Sequence, residues 1–416
     1  MSKRVLVCTA MCIWLACLTA KAQAQAVIYN NCPYAKQHWN QLACLIPDVA
    51  KTGGTNLGVF STALAEVVGQ LPLAAPTTGF GLTLDKTLGV YVIPNESLGS
   101  ILSERGDTVG KNHLFVGFTF QKFNFQTIDG TQLDNLPIYF TTTPALGNVP
   151  GYSQNYLAAN VDQYTGVAAF GLTSRIDISV TVPFERVSLS AGHGGVFEGA
   201  PGPSQAACVS VSSTPTLCPQ YVPGSASGFG DVIVEGKGTI WKGEHFRLAA
   251  GFDVRFPTGN EYNLLGSGAY GYKPFLTLSR HGRVTPHVNA GYQWNGRSVL
   301  YQSGGVNQLL PRWFEYSAGV DVAVVKRLTV IADLLGQHFF NAPRITPAAP
   351  VSYTIPSGAV TSIGVQNGDY DADNLAIGLK LNVWKNLLFS GNIMFKLNEG
   401  GLRSVRTPLL GLSYRF

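Results

Sequence analysis

From Asn112 onward the sequence alternates between apolar and polar residues, run after run. "HLFVGFTF" places Leu114, Val116, Phe118 and Phe120 on one face. "RIDISVTVPF" places Ile176, Ile178, Val180, Val182 and Phe184 against Asp177, Ser179 and Thr181. "FRLAAGFDVRF", "VTPHVNAGYQW" and "NLAIGLKLNV" repeat the pattern. A period of two marks strands with one greasy face and one polar face. It runs to the last residues: "LLGLSYRF" sets Leu410, Leu412, Tyr414 and Phe416 opposite Gly411, Ser413 and Arg415. Terminal residues of soluble domains usually fray, so this ending predicts a strand that must pair.

Twelve strands are predicted, near 112–126, 154–170, 175–190, 230–241, 246–257, 269–280, 283–295, 312–325, 328–340, 371–384, 386–397 and 405–416. Their connections alternate as well. Those at 127–153, 191–229, 258–268, 296–311, 341–370 and 398–404 are long, and the rest are tight turns. Short turns at one end and long loops at the other characterise a transmembrane β-barrel. Beyond the N-terminal segment no apolar run is long enough for a spanning helix, and in lipid only helices or closed sheets satisfy every backbone N–H and C=O. A β-sandwich or propeller would not need an apolar face continuous over so many strands. The fold class is therefore all-β: a transmembrane antiparallel up-and-down barrel of about twelve strands. If "FGLTLDKTLGVYVI" adds a hairpin, the number is fourteen. The expected location is the outer membrane of a Gram-negative-type bacterium, with its lipid as a partner. Leu412, Tyr414 and Phe416 fit the terminal signal that the barrel assembly machinery is understood to read, which makes that machinery a second partner.

Residues 1–26 read as a signal peptide. Lys3 and Arg4 precede the apolar stretch Val5–Ala20, and two small-residue cleavage patterns follow, Ala22-Gln23-Ala24 and Ala24-Gln25-Ala26. Removing Lys3, Arg4 and Lys21 takes the net charge from +5 to +2, so no nucleic-acid partner is implied. Charged residues are 13% of the chain against about 25% in soluble proteins, which suits a wall of small uncharged residues. Cys32, Cys44, Cys208 and Cys218 remain after cleavage. An even count in an exported chain favours disulfides, expected between sequence neighbours as Cys32–Cys44 and Cys208–Cys218.

Residues 27–111 lack the long alternation. Leu64, Val67, Val68 and Leu71 share one face of a short helix, and "GSILSERGDTVGKN" leads into the first strand. This segment is expected to enter the lumen as a plug, with a periplasmic segment as the alternative; residues 112–416 form the barrel.

"FGLTSRIDISVTVPF", "GFGDVIVEGKGTI" and "LAAGFDVRFPTGNEYNLLGSG" together resemble an outer-membrane channel family associated with the meta-cleavage pathway of phenol degradation, distantly related to FadL-type transporters of hydrophobic compounds. The similarity spans about 165–280, with "LGSILSERGDTVGKNHLFVGFTFQ" as a further match. Gly230-Asp231 and Pro257-Thr258-Gly259 are its most distinctive points. The resemblance implies an N-terminal plug and diffusive passage of small, poorly soluble molecules. In FadL-type transporters a break in strand three is thought to open the wall sideways. Pro183, which cannot donate to a sheet ladder, is the matching position here. The long 191–229 loop with two cysteines departs from that pattern.

By parity the lumen receives Asp177, Glu185, Asp231, Glu235, Asp253, Glu315, Asp321 and Asp333, opposed by Lys237, Arg247, Arg255, Lys273, Lys380, Lys396 and Arg415. An ion-selective pore would use rings of one sign. A balanced set predicts salt-bridged bracing, with Glu104 and Arg105 as plug residues docking onto it, unless the charges are simply solvated in a wet pore. Twelve strands lie between barrels filled by side chains, at about 8, and open channels, at about 16–18, so a narrow or gated path is expected. Catalytic signals are poor. Gly266-Ser-Gly-Ala-Tyr-Gly271 fits a dinucleotide fingerprint only as text, because a strand pattern follows it where a helix is required; a flexible outer loop accounts for it better. "GHGG" at 192–195 has no nucleophile elbow, and the seven His are scattered. No enzyme activity, cofactor or metal is expected. The expected function is passive uptake of small hydrophobic or aromatic solutes by a monomer. An adhesive or structural barrel with partner-binding loops, or a general porin for polar solutes, are the alternatives.

Overall fold

The computed structural model describes residues 34–45, 83–85, 90–92, 97–142, 149–198, 220–303, 305–354, 357–384 and 386–416. Twelve antiparallel strands close into one barrel: β1 Leu114–Ile128, β2 Val149–Gly171, β3 Ile176–Glu198, β4 Val232–Lys242, β5 Phe246–Phe256, β6 Gly271–Arg280, β7 Val284–Asn295, β8 Arg312–Val325, β9 Leu328–Thr354, β10 Asn374–Trp384, β11 Leu387–Lys396 and β12 Arg406–Arg415. Each pairs with the next, and β12 returns to β1 through pairs such as Leu412↔Phe118. The Phe416 N–H donates to the Leu114 carbonyl at 2.8 Å, so the last strand is stitched in to its final residue. Among the described residues no helix is long and apolar enough to cross a membrane. Strands do the crossing.

Three expectations change. The fourteen-strand alternative is not realised: Thr83–Asp85 and Val90–Val92 pair with each other in a sheet apart from the barrel. The long connections are not mainly loop. β2, β3 and β9 run on to 23, 23 and 27 residues, and Gln220–Phe229 and Ser357–Asp371 pair with the extensions of β3 and β9. Backbone groups above the membrane zone are thus still satisfied by ladder bonds. Third, the Gly-rich 266–271 stretch is no free outer loop, because Leu264, Leu265 and Ser267 are buried. The signal peptide, the Leu64–Leu71 helix, Cys32, Cys208 and Cys218 lie outside the described residues; Cys44 is buried.

The wall has two zones. On the turn side, outward residues are large and apolar: Leu114, Val116 and Phe118 on β1, Ile176, Ile178 and Val180 on β3, Ile377, Leu379 and Leu381 on β10. Their inward neighbours are polar, such as Thr119, Ser179, Thr181 and Lys380. A row of rings then crosses the outside in register, Phe120 to Tyr164 at 5.0 Å, Tyr164 to Phe184 at 6.5 Å and Phe184 to Phe229 at 5.7 Å. Aromatic girdles of this kind mark a membrane interface. Above it the pattern inverts. Lys122, Asn124 and Arg186 are exposed outside, while Phe123, Phe125, Leu157, Val161, Val187 and Leu189 turn inward and are buried. The barrel therefore projects past the lipid, and its projecting half carries the apolar core inside.

Candidate functional site

The lower storey of the lumen holds residues 97–111. This stretch crosses the interior on hydrogen bonds to inward side chains of β3, β4, β6, β7, β9, β10 and β12. The Leu98 N–H donates to Thr329 Oγ1 at 2.8 Å, Gly106 N–H to Ser279 Oγ at 3.1 Å and Val109 N–H to Asp177 Oδ2 at 2.6 Å. Lys380 Nζ donates to the Ser100 carbonyl at 2.6 Å and Thr239 Oγ1 to the Gly106 carbonyl at 2.8 Å. Such regularity needs close approach: a Cβ on Gly106 would lie 2.4 Å from the Arg247 carbonyl oxygen, so only glycine fits.

Charge supplies the rest of the anchorage. Lys237 Nζ lies 2.5 Å from Glu104 Oε2, and its side chain is fully buried. It also donates to the Arg105 carbonyl at 3.1 Å. Arg105 is itself buried and donates to Ser97 Oγ at 3.1 Å. Asp107 meets His281 at 2.6 Å and Arg247 at 3.7 Å. Burial pushes the Asp107 carboxyl up, but the His281 hydrogen bond and the charges of Arg105, His281 and Arg247 outweigh that and leave it below the ordinary carboxylate range. Pairs of this kind offset a large desolvation cost, so removing one partner is expensive while the pair itself adds little net stability.

The sequence-derived lumen residues fall into these groups. Asp177, Lys380, Arg247 and Arg415 bond to the 97–111 stretch or its ends; Arg415 donates to the Val109 carbonyl at 2.8 Å. Asp253 and Glu315 share Lys273, each at 3.1 Å. Asp321 and Asp333 flank His287, at 3.7 and 2.8 Å. Glu235 is buried on β4 one inward position from Lys237. Lys396 departs from the bracing pattern and bonds Glu399 at 2.6 Å.

Asp231 has a different task. Its Oδ1 accepts from Gly259 N–H at 3.1 Å, and its Oδ2 accepts from Ser267 N–H at 2.8 Å and Ser267 Oγ at 2.6 Å. Arg255 Nε is 3.8 Å away. Thr258 Oγ1 donates to the Gly230 carbonyl at 2.8 Å and accepts from Val232 N–H at 3.0 Å. Gly230-Asp231 and Pro257-Thr258-Gly259, separate in sequence, are thus one clamp. It folds the 257–268 loop inward and seats Leu264 and Leu265 in the upper lumen. A Cβ on Gly266 would lie 2.4 Å from Asp231 Oδ1, which explains that glycine.

The upper storey is apolar. Phe123, Phe125, Leu157, Val161, Val187 and Leu189 form one cluster with Leu264 and Leu265 and with Leu42 to Leu45 from the N-terminal segment. Residues 34–45 dock there through Leu42 N–H to Asn263 Oδ1 at 3.3 Å and His38 stacked on Tyr262 at 3.7 Å. Tyr34 packs edge-on to Tyr262 at 5.2 Å; burial, and then Tyr262, push its hydroxyl up to about 12. Parity reasoning missed this storey. The signal was present, since the apolar residues of "FTFQKFNFQ" change phase between Phe120 and Phe123, and those of "VPFERVSL" between Phe184 and Val187. Pro183 faces inward at the level of the change. The β3–β4 ladder stops at Thr181↔Ile233 and resumes with the 220–229 strand at Phe184↔Phe229. Between them Gly230 N–H donates to the Pro183 carbonyl at 2.9 Å.

Residues 141–323 match the family described as "Putative MetA-pathway of phenol degradation". No curated protein matches the chain. Among solved structures, an outer membrane channel from Pseudomonas putida F1 superposes at a TM-score of 0.47 and 13% identity, covering 76% of this chain and 99% of that one. The NanC porin gives 0.39 and 10%, covering 72% and 98%. A Pseudomonas aeruginosa FadL homologue gives 0.30 and 10%, covering 73% and 89%. The match at 141–323 contains the whole Asp231 clamp, and through it the chain matches the family that its sequence resembles.

Proposed function

We propose that the barrel passes small apolar and aromatic molecules across the outer membrane by diffusion. Residues 27–111 act as its plug: 34–45 cover an apolar receiving chamber, and 97–111 close the polar floor beneath it. The observation that carries this reading is the inverted upper storey. A porin for polar solutes needs a wet constriction lined by charge, whereas the rows Phe123–Val161–Val187 and Phe125–Ala159–Leu189 present only hydrocarbon. Exit is proposed sideways at Pro183, supported by the interrupted ladder there. The mature chain is proposed to act as a monomer, inserted by the barrel assembly machinery, with disulfides Cys32–Cys44 and Cys208–Cys218. Alkylation before and after reduction tests both pairings.

The test is uptake into proteoliposomes. Toluene is expected to equilibrate faster than through empty vesicles, while arabinose causes no swelling. Freely entering sugar would make the protein a porin, and no uptake of either would point to an adhesive or structural role. Deleting 27–95 should raise ion conductance; an unchanged conductance would remove 34–45 from the path. Unchanged toluene uptake by Pro183→Val would discard the sideways exit.

A further inference from the structure

Most inward carboxylates of the floor meet a cation, a histidine or a backbone N–H: Asp177 accepts from Val109, Asp253 and Glu315 share Lys273, and Asp321 and Asp333 flank His287. Gln163 and Glu185, neighbours in register on β2 and β3, meet each other instead: Gln163 Nε2 donates to Glu185 Oε1 at 3.0 Å. Both residues are only 2% exposed. Gln163 Oε1 and Glu185 Oε2 then have no hydrogen-bond partner, and neither do the hydroxyls of Thr165 and Thr119 in the row below. No cation stands within ion-pair distance of Glu185 among the described residues. The row above, Phe123–Val161–Val187, is pure hydrocarbon. Buried polar atoms are normally satisfied, and each one left open costs free energy. A cluster of four on one face, against an apolar chamber, is a set of partners awaiting a ligand.

We propose that Gln163, Glu185 and Thr165 form a binding site for the hydroxyl group of a small uncharged alcohol whose hydrocarbon body lies against Phe123, Val161 and Val187. This rests on the reading of the upper storey as the receiving chamber. A hydroxyl donates one bond and accepts others, so it satisfies a carboxylate or amide oxygen and a threonine hydroxyl at once. A hydrocarbon fills the apolar rows but leaves all four atoms open. A carboxylate is opposed by Glu185 and by Asp231 nearby. An ammonium group would suit Glu185 but pays a large desolvation penalty in the apolar rows it must traverse.

The test is calorimetric titration of the detergent-purified full chain at pH 7 with four probes of one shape: benzyl alcohol, toluene, benzoate and benzylamine. Wild type is expected to bind benzyl alcohol about tenfold more tightly than toluene, the size of one well-made hydrogen bond in a buried site. Benzoate and benzylamine should bind more weakly than the alcohol. In Gln163→Leu/Glu185→Leu the alcohol preference should fall to within about twofold. Equal binding of alcohol and toluene by wild type would mean that water serves the four atoms and would overturn the site. Tighter binding of benzylamine, or an unchanged alcohol preference in the double variant, would overturn it as well. If the double variant fails to show the heat-dependent gel shift of a folded barrel, Thr165→Val replaces it. That variant is expected to lose about threefold of the preference, and no loss counts against the site. Toluene uptake into vesicles separates the two readings: its absence in wild type sinks the channel, whereas intact uptake without alcohol preference sinks only this site.

Discussion

The membrane half and the projecting half of this barrel are built from the same strands, yet they are opposites. Below the Phe120–Tyr164–Phe184 girdle, lipid takes the apolar side chains and the lumen takes the polar ones. Above it, water lies outside and the apolar side chains go in. The period of two is untouched, and what changes is which parity is greasy. Pleat geometry fixes the period, while the media on the two sides of the wall fix its sign. The two halves also hold their N-terminal contents differently. Residues 97–111 are held by buried charge and by hydrogen bonds to the wall. Residues 34–45 are held by apolar packing and the Asp231-clamped loop.

The largest expected effect separates those two modes of anchorage. Lys237→Met leaves Glu104 without its cation, and loss of one partner of a buried pair costs about 3–5 kcal/mol. Amide exchange in 97–111 should accelerate at least a hundredfold while 34–45 changes little. Uniform acceleration would mean that the two segments are one unit. Next comes the boundary itself. Val180→Lys, facing lipid, is expected to cost about 2–4 kcal/mol in denaturant titrations of the barrel in bilayers. Ser188→Lys, eight residues along the same outward face, should stay within about 0.5 kcal/mol. Equal costs would move the membrane edge. Smaller still is the exchange of polarity inside. Leu189→Asn strands an amide in the apolar storey and should cost about 1–3 kcal/mol. Asn392→Leu, in the lower storey, should be neutral or better, because neither amide atom of Asn392 has a partner to lose.

How much of this the sequence revealed follows the same division. The lower half was legible because alternation there is long, apolar outside and backed by turns; Ile176 to Phe184 alone marks a strand, its lipid face and its one inward acid, Asp177. Parity singled out charges that lie beside 97–111 in the structure, such as Asp177, Lys237 and Lys380, and position before the first strand singled out Glu104 and Arg105. The upper half was not legible in the same way. A parity switch such as Phe120 to Phe123 looks like the end of a strand when one assumes that apolar means outward. The Asp231 clamp joins residues that no local pattern relates: the motif residues were visible, but their meeting depends on closure of the barrel. Nothing in Gln163 or Glu185 by itself signals an open acceptor, because that depends on which cations the fold places elsewhere.

The smallest expected effect is a dependence on acid that only one storey should show. Asp107 sits at the lower mouth between His281 and Arg247, and its pKa is depressed in the folded state. A depressed carboxylate contributes stability that is fully present above the unfolded value, about 3.9, and is lost as the pH falls through the folded value. Lowering the pH from 5 toward 3 should therefore loosen residues 97–111, seen as faster proteolysis of that stretch or a rise in ion conductance. Asp107→Asn should flatten that response. Residues 34–45 contain no carboxylate and are held by packing, so they should not respond over the same interval. If both segments loosen together, the acid response belongs to the barrel wall, and the contrast between a floor held by charge and a cover held by packing fails at its most sensitive point.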